Sequence, residues 1–169
     1  MRLNILSIFA ALALLTACET APDGSGSSSG AGGGGSATSG SSAGGPRSGT
    51  QEDLVVNVGD RVFFGFNKYK LTSAARGTLD KQAAWLKKFP SVTVVLEGHA
   101  DERGTREYNL ALGERRANSA KDYLVTLGIS PNRIKTISYG EERPVALGSS
   151  EKSWSQNRRS VTVVSRPAS

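Results

Sequence analysis

The chain has 169 residues and a formal net charge of +6, with one Cys, one His and 20 Gly. One cysteine excludes an internal disulfide, and one Cys with one His cannot furnish a four-ligand zinc site. A single short apolar run excludes a polytopic membrane protein, and most of the glycine lies in the first fifty residues, which implies a modest domain carrying a tail.

Met1-Arg2 is a positive start, and Leu3 to Leu15 is an almost unbroken apolar run. About thirteen residues fall short of the roughly 17–25 that a permanent span needs. Charged start, apolar run and small residues Thr16 and Ala17 are the layout of a cleaved export signal over residues 1–17. Thr20 to Gly49 is mostly Gly, Ser and Ala, bounded by Pro22 and Pro46. With no large apolar side chain it cannot bury enough surface to offset chain entropy. Residues 18–50 are therefore expected to form a flexible linker, with a typical end-to-end distance near ~30 Å for a coil of that length.

The domain is expected over 51–169. Val62 to Phe66 suits a strand, and Thr72 or Ser73 is a plausible cap for a helix carrying Ala75, Leu79, Ala83 and Leu86, ended by Pro90. Val92 to Leu96 reads as a strand covered on both faces. A long helix runs from Thr105 to about Leu127, closed by Gly128. Asn132 to Ser138 is a third strand, and a turn-rich stretch through Gly140, Pro144 and Gly148 leads to a last strand at Ser160–Val164. The order β-α-β-α-β-β predicts an α/β domain, an α+β sandwich with helices on a small mixed sheet. Its expected core is Leu79, Trp85, Leu86, Val94, Leu96, Leu112, Leu124 and Ile137.

Charge gathers in Glu97-Gly98-His99-Ala100-Asp101-Glu102-Arg103-Gly104-Thr105, a loop leaving a buried strand, where ligands commonly sit. Asn109 and Arg116 lie seven residues apart, on one stripe of the following helix. Both are placed in its N-terminal half, where partial positive charge favours anions. Asp101 for an ammonium and Arg116 for a carboxylate would suit a zwitterionic head group. The bland alternative is an Asp101–Arg116 surface salt bridge. Tyr108 could line the site or cover core, and Arg115 reads as a solvated charge. On this reading Arg116→Ala loses binding with the fold intact.

Two resemblances sharpen this. Leu15-Thr16-Ala17-Cys18 resembles the bacterial lipobox, which implies a diacylglycerol and an N-acyl chain on Cys18. Glu19 in the next position favours the outer membrane, with the domain in the periplasm. Gly98-His99-Ala100-Asp101, Tyr108 to Ala117, Ser138 to Pro144 and Asn157-Arg158-Arg159 together resemble the OmpA-like peptidoglycan-binding domain, nearest to its lipoprotein branch in the Tol-Pal system. The resemblance implies non-covalent binding of the diaminopimelate of the peptidoglycan stem, with no cofactor beyond the lipid on Cys18. It gives Asp101 and Arg116 the principal contacts, assisted by Arg103, Thr105, Asn109, Leu112, Phe66 and Asn67. The family often has Asp where this chain has Asn67. TolB and other Tol proteins are the implied partners. Asn157-Arg158-Arg159 is expected to be structural.

Competing functions are a structural lipoprotein or Tol adaptor without wall affinity, and a hydrolase built on His99, Asp101 and Glu97. The hydrolase lacks a second His and a nucleophile with a companion base. Nucleic acid is set aside because the lipobox routes the chain out of the cytoplasm.

Overall fold

The structure, a computed structural model, describes residues 45–168. The expected signal segment, Cys18 with its lipids, and the linker up to residue 44 lie outside the described residues. Of the residues next to the domain, Gly49 donates its N–H to Asp53 Oδ2 at 2.7 Å, and its carbonyl accepts from Ala168 N–H at 3.2 Å.

Thr50 caps a short helix α1 (Gln51–Asp53), which passes into a π-helical turn, Leu54–Val58. Then come β1 (Arg61–Phe63), α2 (Ser73–Lys88), β2 (Thr93–His99) and α3 (Arg106–Thr126). A 3₁₀ turn (Pro131–Arg133) leads to β3 (Ile134–Gly140), α4 (Glu151–Asn157) and β4 (Arg159–Arg166). The α1 turn and α4 were not anticipated. Both are too short to display a helical period, and α4 carries one large apolar residue, Trp154.

The sheet order is β1-β4-β2-β3, with β2 and β3 parallel and the other two pairings antiparallel. Thr72 caps α2 by accepting from Ala75 N–H at 3.1 Å, and Gly128, at φ +89°, lies just past the end of α3. Val62, Val94, Leu96 and Ile134 meet Leu79, Ala83 and Leu86 of α2 and Ala117, Ala120 and Leu124 of α3 in one core. Removing a buried leucine such as Leu96 would cost about 2–5 kcal/mol.

Two expectations are corrected here. Ile137 is not core: it is 41% exposed, paired in register with Glu97 on the face away from the helices. Nor is β2 covered on both faces. Val94 and Leu96 are buried while Val95 and Glu97 alternate with them only partly covered, because the helices pack on one side. The apolar run on β2 therefore reflects strand preference as well as burial. Trp85 is buried as expected, but its indole N–H also donates to Asp53 Oδ2 at 2.9 Å, clasping the α1 turn to α2.

One close approach sets the position of α3. A Cβ on Gly98 would lie 1.8 Å from the Gly113 carbonyl oxygen, and one on Gly113 would lie 2.3 Å from Ser138 Oγ. Only glycine at both places lets the helix backbone rest on the end of β2. Arg116, one turn further on, is thereby brought to the strand's last residue.

Candidate binding site

The loop after β1, the loop after β2 and the first half of α3 enclose a cavity of about 170 Å³. Phe66, Asn67, Asp101, Arg103, Asn109, Leu112 and Arg116 line it, together with Gly104 and Tyr108. Seven of the eight residues singled out from the sequence thus share one cavity, and Tyr108 joins them. Thr105 does not: it caps α3, its hydroxyl accepting from Tyr108 N–H at 3.2 Å. At ~30 Å³ per water, the space holds about five or six waters, well below the ~300–1,000 Å³ of a drug-sized pocket. It suits the charged end of a side chain rather than a sugar.

Asp101 is 4% exposed and fully engaged. Arg103 reaches it through Nη2 at 2.7 Å, Nε at 3.2 Å and its backbone N–H at 3.2 Å. Arg158 adds Nη1 at 3.3 Å. Burial pushes the Asp101 carboxyl upward, but the arginine hydrogen bonds outweigh it and hold the pKa below its ordinary value. The carboxylate is therefore ionised at neutral pH.

Arg158, expected to be structural, is buried behind Asp101. Its Nε donates to the Phe64 carbonyl at 3.0 Å and its Nη2 to Glu151 Oε1 at 2.5 Å. It fixes the direction in which Asp101 points. Neither its hold on Asp101 nor the part of Glu151 could be read from spacing, since they depend on the unanticipated α4.

Arg116 is the largest fully buried side chain among the described residues. Nε donates to the Lys68 carbonyl at 2.9 Å, Nη1 to that of His99 at 2.7 Å and Nη2 to that of Gly65 at 3.2 Å. Three of its five N–H donors are thus committed to backbone, leaving two for a ligand. Burial lowers its pKa to about 10, so it stays charged at neutral pH. The Asp101–Arg116 salt bridge is not formed among the described residues; Asp101 pairs with Arg103 and Arg158 instead.

Two sequence-based expectations about Arg116 are corrected. It sits in the middle of α3, beyond the first turn where the helix dipole acts, so it must work by its own charge. It also ties the loop after β1, at Gly65 and Lys68, to the end of β2, at His99, so truncating it to alanine would disturb the fold.

The remaining lining residues shape the walls. Asn67 has φ +53°, a left-handed conformation that asparagine tolerates better than most residues, and its side-chain oxygen accepts from the Tyr108 hydroxyl. Asn109 donates to the Arg103 carbonyl at 3.2 Å and to Glu141, pinning the charged loop. Leu112 is buried against the cavity rather than in the main core. Arg115 is exposed, as expected.

His99 contributes its carbonyl to Arg116 but not its ring to the cavity. The ring stacks on Tyr139, with centroids 5.6 Å apart, and both ring nitrogens lack a hydrogen-bond partner among the described residues. Burial, then Arg159 and Arg143, push its pKa down to about 3. His99 Nε2 lies 3.7 Å from Glu97 Oε2, but neither residue lines the cavity that holds Asp101, so the His99–Asp101–Glu97 catalytic arrangement is not assembled. What the cavity can do is take a cation beside Asp101 and an anion beside Arg116 and Arg103.

Residues 63–158 match the model of the OmpA family. The chain is 55% identical over 125 residues to the peptidoglycan-associated lipoprotein of Rhizobium meliloti (strain 1021), an alignment covering 74% of this chain and 71% of that one. It is 53% identical over 125 residues to the peptidoglycan-associated lipoprotein of Brucella melitensis biotype 1, covering 74% of each. The crystal structure of the peptidoglycan-associated lipoprotein from Burkholderia pseudomallei superposes with a TM-score of 0.61 at 41% identity, over 62% of this chain and 89% of that one. The C-terminal domain of Helicobacter pylori MotB shares the fold, with a TM-score of 0.60 at 22% identity, over 64% of this chain and 86% of that one.

Proposed function

The chain belongs to the OmpA family and, within it, to the peptidoglycan-associated lipoproteins; from that premise we propose that it binds peptidoglycan non-covalently through the diaminopimelate of the stem peptide, tethering the outer membrane to the wall. The observation that carries this reading is one small cavity lined by both a buried carboxylate, Asp101, and a buried guanidinium, Arg116. The free end of diaminopimelate carries an ammonium and a carboxylate on one carbon. Its ammonium goes to Asp101, and its carboxylate takes the two uncommitted N–H groups of Arg116 with help from Arg103. Low local dielectric strengthens both contacts, and the small volume selects an amino-acid end over bulkier groups.

In this reading the lipids on Cys18 hold the outer membrane, residues 18–50 span the gap, and the domain at 51–169 grips the wall from the periplasm. A single small site binds modestly, and many tethered copies facing a dense polymer gain by effective concentration. TolB and other Tol proteins act as partners in the Tol-Pal system that serves envelope integrity and cell division. Sedimentation of the purified protein with isolated sacculi tests the core of the proposal. Co-pelleting that a diaminopimelate-containing stem peptide competes away is expected; a protein that stays in the supernatant would favour the structural lipoprotein.

A further inference from the structure

Arg103 is held in an unusual way for a loop arginine. Its guanidinium carbon lies 4.0 Å from the centroid of the Phe66 ring and 3.9 Å from that of Trp154. Two rings at that distance cannot share one face of a planar group, so they enclose it. Trp154 is itself fixed, its indole N–H donating to Glu102 Oε1 at 3.1 Å. In this state Arg103 covers Asp101, the carboxylate that the ligand's ammonium needs.

We infer that Arg103 is an internal counter-cation of Asp101 which the ligand's ammonium displaces, and that Trp154 and Phe66 keep the released guanidinium in place to receive the ligand's carboxylate. This rests on the zwitterion reading above and adds to it a positioning residue, Trp154. Crowding of cations at Asp101 favours the exchange, and Glu151, 3.8 Å from Arg103, offers the displaced guanidinium a second carboxylate. Asp101 already faces Arg103 and Arg158, and an arriving ammonium would be a third cation on one carboxylate. A flexible arginine, once released, would sample solvent and lose its orientation; one stacked between two rings keeps its donors at the cavity mouth. Amine and carboxylate therefore bind together. An amine alone leaves Arg103 only the more distant Glu151, at 3.8 Å, and a carboxylate alone draws Arg103 away from Asp101 and leaves it only Arg158, at 3.3 Å.

The test titrates the purified full-length protein with a stem tripeptide ending in meso-diaminopimelate. Trp154→Ala should weaken binding about five- to thirtyfold, the range of a partly desolvated cation–aromatic contact. Trp154→Phe keeps a ring under the guanidinium and should return affinity to within about threefold of wild type. Wild-type tryptophan emission should change on saturation, because Trp154 reports the shift of Arg103. In Trp154→Phe only the buried Trp85 remains, and the signal should stay flat. The tripeptide acetylated on the free amino group of its diaminopimelate should leave wild-type emission unchanged. Wild-type affinity in Trp154→Ala, equal losses in the alanine and phenylalanine variants, or silent emission at saturation would each overturn the inference while leaving wall binding intact. A wild-type protein that fails to bind the tripeptide would sink the parent reading, and this one with it.

Discussion

His99 should make the domain sensitive to mild acid. Its pKa is about 3 in the fold, against an ordinary value of 6.5. Between those values the unfolded chain binds a proton that the native state refuses. Stability from the neutral ring is thus fully present above pH 6.5 and is lost as pH falls toward 3. The cost is about 1.4 kcal/mol per pH unit within that window, giving about 2.5 kcal/mol between pH 7 and pH 4.5. At pH 4.5 the figure barely changes if the native pKa is about 4 instead, because either value leaves the ring mostly neutral. Against the ~5–15 kcal/mol typical of a domain this is a large loss. Urea unfolding of wild type and His99→Phe at pH 7, 5.5 and 4.5 measures it. Phenylalanine keeps a ring against Tyr139 and leaves the backbone carbonyl that serves Arg116 in place. The variant should lose about 2.5 kcal/mol less than wild type over that range. Parallel pH profiles in the two proteins would refute the assignment.

Arg116→Ala should destabilise the domain by about 2–5 kcal/mol, since three backbone carbonyls lose their donor and a cavity opens, and should abolish co-pelleting with sacculi. Arg116→Lys can restore only part of the fork and should fall between, as read by thermal melting and pelleting together. Gly98→Ala should cost about 3 kcal/mol or more, visible as a melting point lowered by over ten degrees, because its methyl would collide with backbone rather than a yielding side chain. Asp101 has a lowered pKa, so its contribution is present above its ordinary value of 3.8 and lost as pH falls through the native one. Wall binding should accordingly stay level from pH 7 to about 5 and fail only in stronger acid; a decline beginning near pH 6 would point to another group.

Much of the sheet and both long helices were legible because each shows a period: Leu79, Ala83 and Leu86 on α2, and Asn109, Leu112, Arg116, Ala120 and Leu124 on α3. The cavity lining was legible because spacing and family resemblance converge on the loop after β2. What stayed hidden depends on distance through space. Ile137 looks like core in one dimension, but its burial depends on which face the helices cover. The burial of Arg116 follows from the contact between Gly98 and Gly113, which neither glycine announces alone. Trp154 stays hidden because α4 spans only seven residues, too few to show a period, with Ser150 as its cap, accepting from Ser153 N–H at 3.4 Å.

The bond between Gly49 and Ala168 has a mechanical consequence. It places the start of the domain at the end of the sheet where Thr93 pairs with Arg166, whereas the cavity opens past His99, at the other end of β2. Seven residues of strand separate the two poles, roughly 20 Å. Under the tethering proposed here, tension from the membrane enters at one pole and leaves through the wall at the other, lengthwise along β2. That strand is laced to β3 on one side and β4 on the other, so its hydrogen bonds resist in shear, all together, instead of unzipping one by one. The sheet should therefore outlast both the Asp53–Trp85 clasp and the grip on the ligand when the envelope is stretched, and pulling single molecules between residue 49 and residue 101 would show the clasp giving way first.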